Sequence, residues 1–145
     1  MPQRVVISND HGAIELKARV AAHLRSRGFE VTDVGVTQPE SVDYPDMANK
    51  AVEEYRKGGY EFGVVLCGTG IGISIAANKH KGIRCALLFD EYSAQMAKEH
   101  NDANFIALGG RMNYPVTVER ILDKYIDSSF LGDRHQRRVD KLNAL

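Results

Sequence analysis

The sequence predicts an α/β protein of three layers: a five-stranded parallel sheet, Rossmann-like, held between two layers of helices, with one further helix at the C-terminus. Three observations carry this. Five short apolar runs recur along the chain, and each leads into a segment whose apolar residues stand three or four apart. The 145 residues are 43% hydrophobic, enough to bury the core of a single domain spanning residues 1–145. Strand-then-helix units in series close most simply as a parallel sheet with right-handed crossovers and helices on both faces.

The elements follow in order. RVVIS at 4–8 reads as a buried strand, and Ala13, Leu16, Val20 and Leu24 mark a helix that Gly28 ends. FEVTDV at 29–34 is the second strand; a polar loop, GVTQPESVDYPD, separates it from a helix with Met47, Ala51, Val52 and Tyr55 on one face, stopped by Gly58 and Gly59. GVVLC at 63–67 runs into GTGIGIS and a helix reaching Asn78. IRCALLF at 83–89 precedes a helix with Ser93, Met96, Ala97 and His100 on one side, and ANFIALG at 103–109 precedes one carrying Val118, Ile121, Leu122 and Tyr125. The tail from Arg134 to Leu145 is the last helix, with Arg134, Arg138 and Lys141 on one stripe.

Composition excludes several function classes. Nineteen Lys and Arg balance nineteen Asp and Glu, with a pI near 7.0, so nothing calls for a nucleic-acid backbone or an anionic membrane surface. MPQRVVISNDHG is neither a secretory signal nor a membrane span, and a cytoplasmic protein is expected. There, Cys67 and Cys85 stay reduced; two cysteines make no disulfide scaffold, and their spacing forms no zinc pattern.

Open α/β sheets bind ligands beyond the carboxyl ends of their strands. Residues at those ends are Asn9, Asp10 and His11; Cys67 to Gly72; Asp90 and Glu91; and Gly109, Gly110 and Arg111. Gly68, Gly70 and Gly72 form GxGxG, which lacks the third glycine of a dinucleotide fingerprint because Ile73 stands there, and no P-loop lysine follows. Such a turn admits an anion, or an oxygen that becomes negative, beside free helix N–H groups; a plain strand-to-helix turn is an equal reading. Cys67 precedes that helix, where a thiolate is favoured, yet its residue type alone favours a small buried apolar group. A cysteine phosphatase would need arginine where Ile73 is. Asp10 reads equally as an N-cap. His100, at a helix end, is a proton donor or a cap, and Arg134 with Arg138 at i and i+4 can clamp a phosphate or form a solvated face.

Taken together, SNDHG (8–12), DYPD (43–46), LCGTGIGISIAANKHKGIR (66–84), YSAQMAKEHNDANFIALGGR (92–111) and GDRHQRRV (132–139) resemble the type-B ribose-5-phosphate isomerases, which belong with the galactose-6-phosphate and allose-6-phosphate isomerases. The similarity runs in order over nearly the whole chain. It implies an aldose–ketose isomerase without cofactor or metal, acting on a sugar phosphate as a homodimer, or a dimer of dimers, with sites shared between subunits. It implies Cys67 as the base, His100 as the group that opens the furanose ring, and Thr69 as support for the reacting hydroxyls. The backbone from Gly68 through Gly70 and Ile71 to Gly72 would take the enediolate oxyanion; Asp10 and Asn101 would hold hydroxyls, with Tyr44 nearby. His11, Arg111, Arg134 and Arg138 would hold the phosphate, with His135 beside them, and His100, Asn101 and Arg111 would come from the partner chain.

This chain departs from the family where Asn9 stands in place of the frequent Cys, Ser or other small residue. Retention of Cys67 separates it from members that replace the cysteine. Two rivals remain on the sequence: a hexose 6-phosphate as substrate, and a flavodoxin-like module that binds a phosphorylated ligand without converting it. A phospho-acceptor module would carry an aspartate where Cys67 is.

Overall fold

The computed structural model describes residues 2–145. Its strands are β1 (Arg4–Asn9), β2 (Glu30–Asp33), β3 (Phe62–Cys67), β4 (Cys85–Leu87) and β5 (Phe105–Gly109), all parallel, in the order β2-β1-β3-β5-β4. A 3-10 turn at His11–Ala13 leads into α1 (Ile14–Ser26), followed by α2 (Tyr44–Tyr55), α3 (Ile71–Asn78), α4 (Glu91–Glu99), α5 (Val118–Asp127) and α6 (Arg134–Asn143).

The three central strands are continuous apolar runs because both of their faces are covered, as parallel sheets require. Alternation then divides their side chains between two cores. Val5, Ile7, Val64, Leu66, Ile106 and Leu108 pack against α1, α4 and α5 through Leu16, Val20, Leu24, Ala97, Ile121 and Tyr125. Val6, Val65, Cys67, Phe105 and Ala107 pack on the other face against Met47, Ala51 and Val52 of α2 and Ile73 and Ala77 of α3. Among the described residues no helix is long and apolar enough to cross a membrane.

The strand order reverses between β1 and β3. From β1 the chain moves outward to β2 on one side, and from β3 it moves to the far edge at β4 before β5 returns between them. Register sets Asn9 opposite Leu66 and Cys67 opposite Gly109, so these central strands end together at the switch point.

The edges differ from the sequence expectation. The expected strand at 29–34 narrows to Glu30–Asp33, and that at 83–89 to Cys85–Leu87. Turns claim the flanks: Ile83 N–H donates to His80 O, and Phe89 N–H donates to the Ser93 hydroxyl. The buried residues of α4 are Ala94 and Ala97, a narrower face than the four expected. Ser93 is taken by a capping box instead, with its N–H on Asp90 Oδ1 at 2.7 Å and its hydroxyl accepting from Asp90 N–H at 3.0 Å. His100 is the C-cap of α4. The last helix stops at Asn143 and turns His135 and Val139 inward, with Arg134, Arg138 and Lys141 exposed.

Candidate active site

Three strand-end turns meet beyond the carboxyl edge. The turn after β5 is laced to the end of β3: Gly110 N–H donates to Cys67 O at 2.9 Å, and Arg111 N–H to Gly68 O at 2.8 Å. The turn after β1 lies so close that a Cβ on Gly12 would stand 2.9 Å from the Gly68 nitrogen, so only glycine fits there. Tyr114 braces the end of β5, its hydroxyl accepting the Gly109 N–H at 2.7 Å, and burial raises its phenol above the usual range.

Cys67 is buried, and its Sγ accepts the Gly70 N–H at 3.2 Å. Gly70 itself has φ of +80°, the left-handed conformation that turns the chain from β3 into α3. The Thr69 hydroxyl accepts from Ile71 N–H at 3.1 Å. Among the described residues no acceptor meets the amides of Gly68, Thr69 or Gly72, so the turn from the thiol into α3 carries free N–H groups. Tyr44, at the first position of α2, lies over Gly72, where a Cβ would come within 2.7 Å of its ring.

Asp10 is buried and accepts the Gly12 N–H on Oδ1 at 2.8 Å, so it is an N-cap as well as a candidate site residue. His11 Nδ1 accepts the Val42 N–H at 3.2 Å. A neutral imidazole that accepts on Nδ1 carries its proton on Nε2 and is a donor there. The Arg111 side chain lies over the turn, with Nη1 at 3.2 Å from where a Gly68 Cβ would stand.

The structure thus brings Asp10, His11, Tyr44, Cys67, Gly68, Thr69, Gly70, Ile71, Gly72 and Arg111 to one edge of the sheet. His100, Asn101, Arg134, His135 and Arg138 gather at the other. Helix α4 runs back against the strands, so its C-cap His100 arrives where β4 and β5 begin. There Arg84 donates to Asn101 O at 3.1 Å and Asp102 O at 2.8 Å, and Leu131 N–H donates to Glu99 O at 3.1 Å. From Phe105 to Gly109 alone is four strand steps, about 13 Å. Arg111, grouped from sequence with His100 and Asn101, stands instead with Cys67.

At that second edge His135 stacks on His100, ring centroids 4.1 Å apart and planes 14° apart. His135 is buried, with Nε2 unpartnered among the described residues, and its burial, followed by the nearby His100, Arg134 and Arg138, lowers its pKa. Cys85, at the start of β4, is partly buried, and burial pushes its thiol far up.

Several contributors carry no motif. Tyr114 sits in an undistinguished turn, and Val42 acts through its backbone, so residue type gives neither away. Asn9 was visible as a departure, but its partner on the 34–42 loop was not.

Fold and site together define a class: a doubly wound α/β protein in which a thiol, a carboxylate, an imidazole and free backbone amides converge at the switch point between β1 and β3. The family follows from comparison. The Ribose/Galactose Isomerase family model matches residues 5–142, and the chain belongs to that family. It is 38% identical over 143 residues to ribose-5-phosphate isomerase B of Escherichia coli, covering 99% of this chain and 96% of that protein. Among solved structures, ribose-5-phosphate isomerase B of Clostridium thermocellum superposes with a TM-score of 0.93 at 45% identity, over 98% of this chain and 96% of that one. The ribose 5-phosphate isomerase of Thermotoga maritima gives 0.93 at 42% identity, over 99% of each.

Proposed function

We propose that the chain is a cofactor-free aldose–ketose isomerase that interconverts D-ribose 5-phosphate and D-ribulose 5-phosphate, acting in the cytoplasm as one domain over residues 1–145. The observation that carries the mechanism is the Cys67 sulfur, buried at the end of β3 and hydrogen-bonded by Gly70 N–H at 3.2 Å. The N-terminus of α3 favours negative charge at that sulfur. Cys67 takes the proton from C2 and returns it to C1, while the hydroxyl proton of O2 is exchanged for one on O1; the cis-enediolate lies between. The amides from Gly68 to Gly72 take the developing oxyanion, and Thr69 supports the reacting hydroxyls. Asp10 holds a sugar hydroxyl beside Tyr44.

The remaining groups need a second copy. His100 for ring opening, Asn101 for a hydroxyl, and Arg134 and Arg138 for the phosphate stand at the wrong end of their own sheet, so a homodimer supplies them across the interface. The edge formed by α3 and β4 favours such pairing, since Ile71, Ile75, Leu87 and Phe89 are exposed there. His11 and Arg111 complete the phosphate site from the Cys67 side, and phosphate held there orients the open chain.

The test follows ribose 5-phosphate in deuterated water by NMR. The wild type is expected to exchange the C2 proton and form ribulose 5-phosphate; Cys67→Ala is expected to lose at least about 100-fold in turnover while still binding sugar phosphate. Full activity in that variant overturns the cysteine mechanism. Absence of both exchange and ribulose 5-phosphate in the wild type overturns the pentose reading, and absence of both with every sugar phosphate tried leaves the binding-module reading. The same assay on allose 6-phosphate and galactose 6-phosphate decides between pentose and hexose.

A further inference from the structure

Asn9 has no solvent exposure, and its whole carboxamide is spent. Oδ1 accepts the Val36 N–H at 3.0 Å; Nδ2 donates to Val36 O at 3.2 Å and to Asp10 O at 2.9 Å. The side chain therefore imitates one more strand, pairing in both directions with a residue beyond β2. Lys17 grips the same carbonyl: Nζ donates to Val36 O at 2.8 Å and pairs with Asp33 Oδ2 at 2.9 Å. Gly35 seals the contact, because any side chain there would run into Asn9, with a Cβ 2.7 Å from its backbone nitrogen. Six residues on, the same loop presents the Val42 N–H to His11 Nδ1.

We propose that Asn9 is a positioning residue for His11: by gripping Val36 it fixes the 34–42 loop, and that loop holds His11 as the Nε2–H tautomer. The proposal rests on the isomerase reading in which His11 binds phosphate. A phosphate oxygen needs a donor, and the opposite tautomer would offer it a lone pair. A Cys or Ser at position 9 has no carboxamide with which to make this two-way grip, so the device belongs to chains with Asn there.

Histidine labelled with nitrogen-15 tests it at about pH 8, above the ordinary imidazole range. His11 is assigned by the signals that vanish in His11→Gln. The wild type is expected to show Nε2 protonated and Nδ1 bare; Asn9→Ala and Asn9→Ser are expected to show averaged tautomers. In both variants KM for ribose 5-phosphate rises roughly 10-fold, with a smaller change in kcat. Asn9→Ser leaves the smaller void and is the variant to read if Asn9→Ala does not fold. A proton on Nδ1 in the wild type, or an unchanged tautomer in a folded variant, overturns the proposal. Failure of the isomerase reading shows separately, as absent C2 exchange in a wild type whose His11 tautomer is still as described.

Discussion

The base role proposed for Cys67 rests on its surroundings: the Gly70 N–H on its sulfur and, among the described residues, the unpaired amides of the same turn. Gly70 makes that arrangement by adopting φ of +80°, and a Cβ there would also stand 2.9 Å from the Leu108 carbonyl carbon. Gly70→Ala is therefore expected to destabilise the fold by about 1–3 kcal/mol, read from the urea midpoint, and to lower turnover by displacing the amide. His135 makes a different prediction. Its proton affinity in the folded state is lowered from the ordinary 6.5 by burial first and by His100, Arg134 and Arg138 after it. As pH falls through 6.5 the unfolded chain takes up the proton first, so stability declines until the folded ring is protonated too. His135→Phe keeps a buried ring and removes the titration; its denaturation midpoint is expected to fall less than the wild type's between pH values of about 7.5 and 5.5.

At the level of elements, the sequence is most legible where burial is two-sided. β1, β3 and β5 appear at nearly their full length as apolar runs, and the apolar spacings expected for α1 and α5 are their buried faces. The edge strands are shorter because one-sided burial leaves their flanks free to be captured by caps and turns. Helix α4 shows this best: Ser93 reads as sharing one side with Met96, Ala97 and His100, but its hydroxyl is taken by the Asp90 capping box. Asp90→Ala is expected to cost about 1 kcal/mol in a denaturation experiment and to fray the start of α4, visible as loss of amide protection there.

At the scale of the molecule, the direction of α4 decides the architecture of the site. The helix carries the chain from the carboxyl edge back to the amino edge, so EHN and CGTG, 33 residues apart from Cys67 to His100, finish at opposite ends of one sheet. If two copies complete each other, Cys67→Ala and His100→Ala, each nearly inactive, are expected to recover activity when unfolded and refolded together. Random pairing makes half the dimers mixed, each with one intact site of two, for roughly a quarter of the wild-type rate. No recovery would mean that each site belongs to one chain.

Local patterns by themselves determined the order of strands and helices, the residues at the strand ends, and, through the segments SNDHG, CGTGIGISIAANK and EHNDAN, the resemblance to an isomerase family. These are legible because periodicity and turn chemistry act over a few residues. Only the tertiary structure decided the order β2-β1-β3-β5-β4, the return of β5 between β3 and β4, and the placing of Arg111 with Cys67 and not with His100. It also decided that Asn9 reaches Val36 and that Val42 meets His11. Such meetings depend on sheet order, register and helix direction, which are settled by packing across the whole chain and leave no mark in the residues that happen to meet.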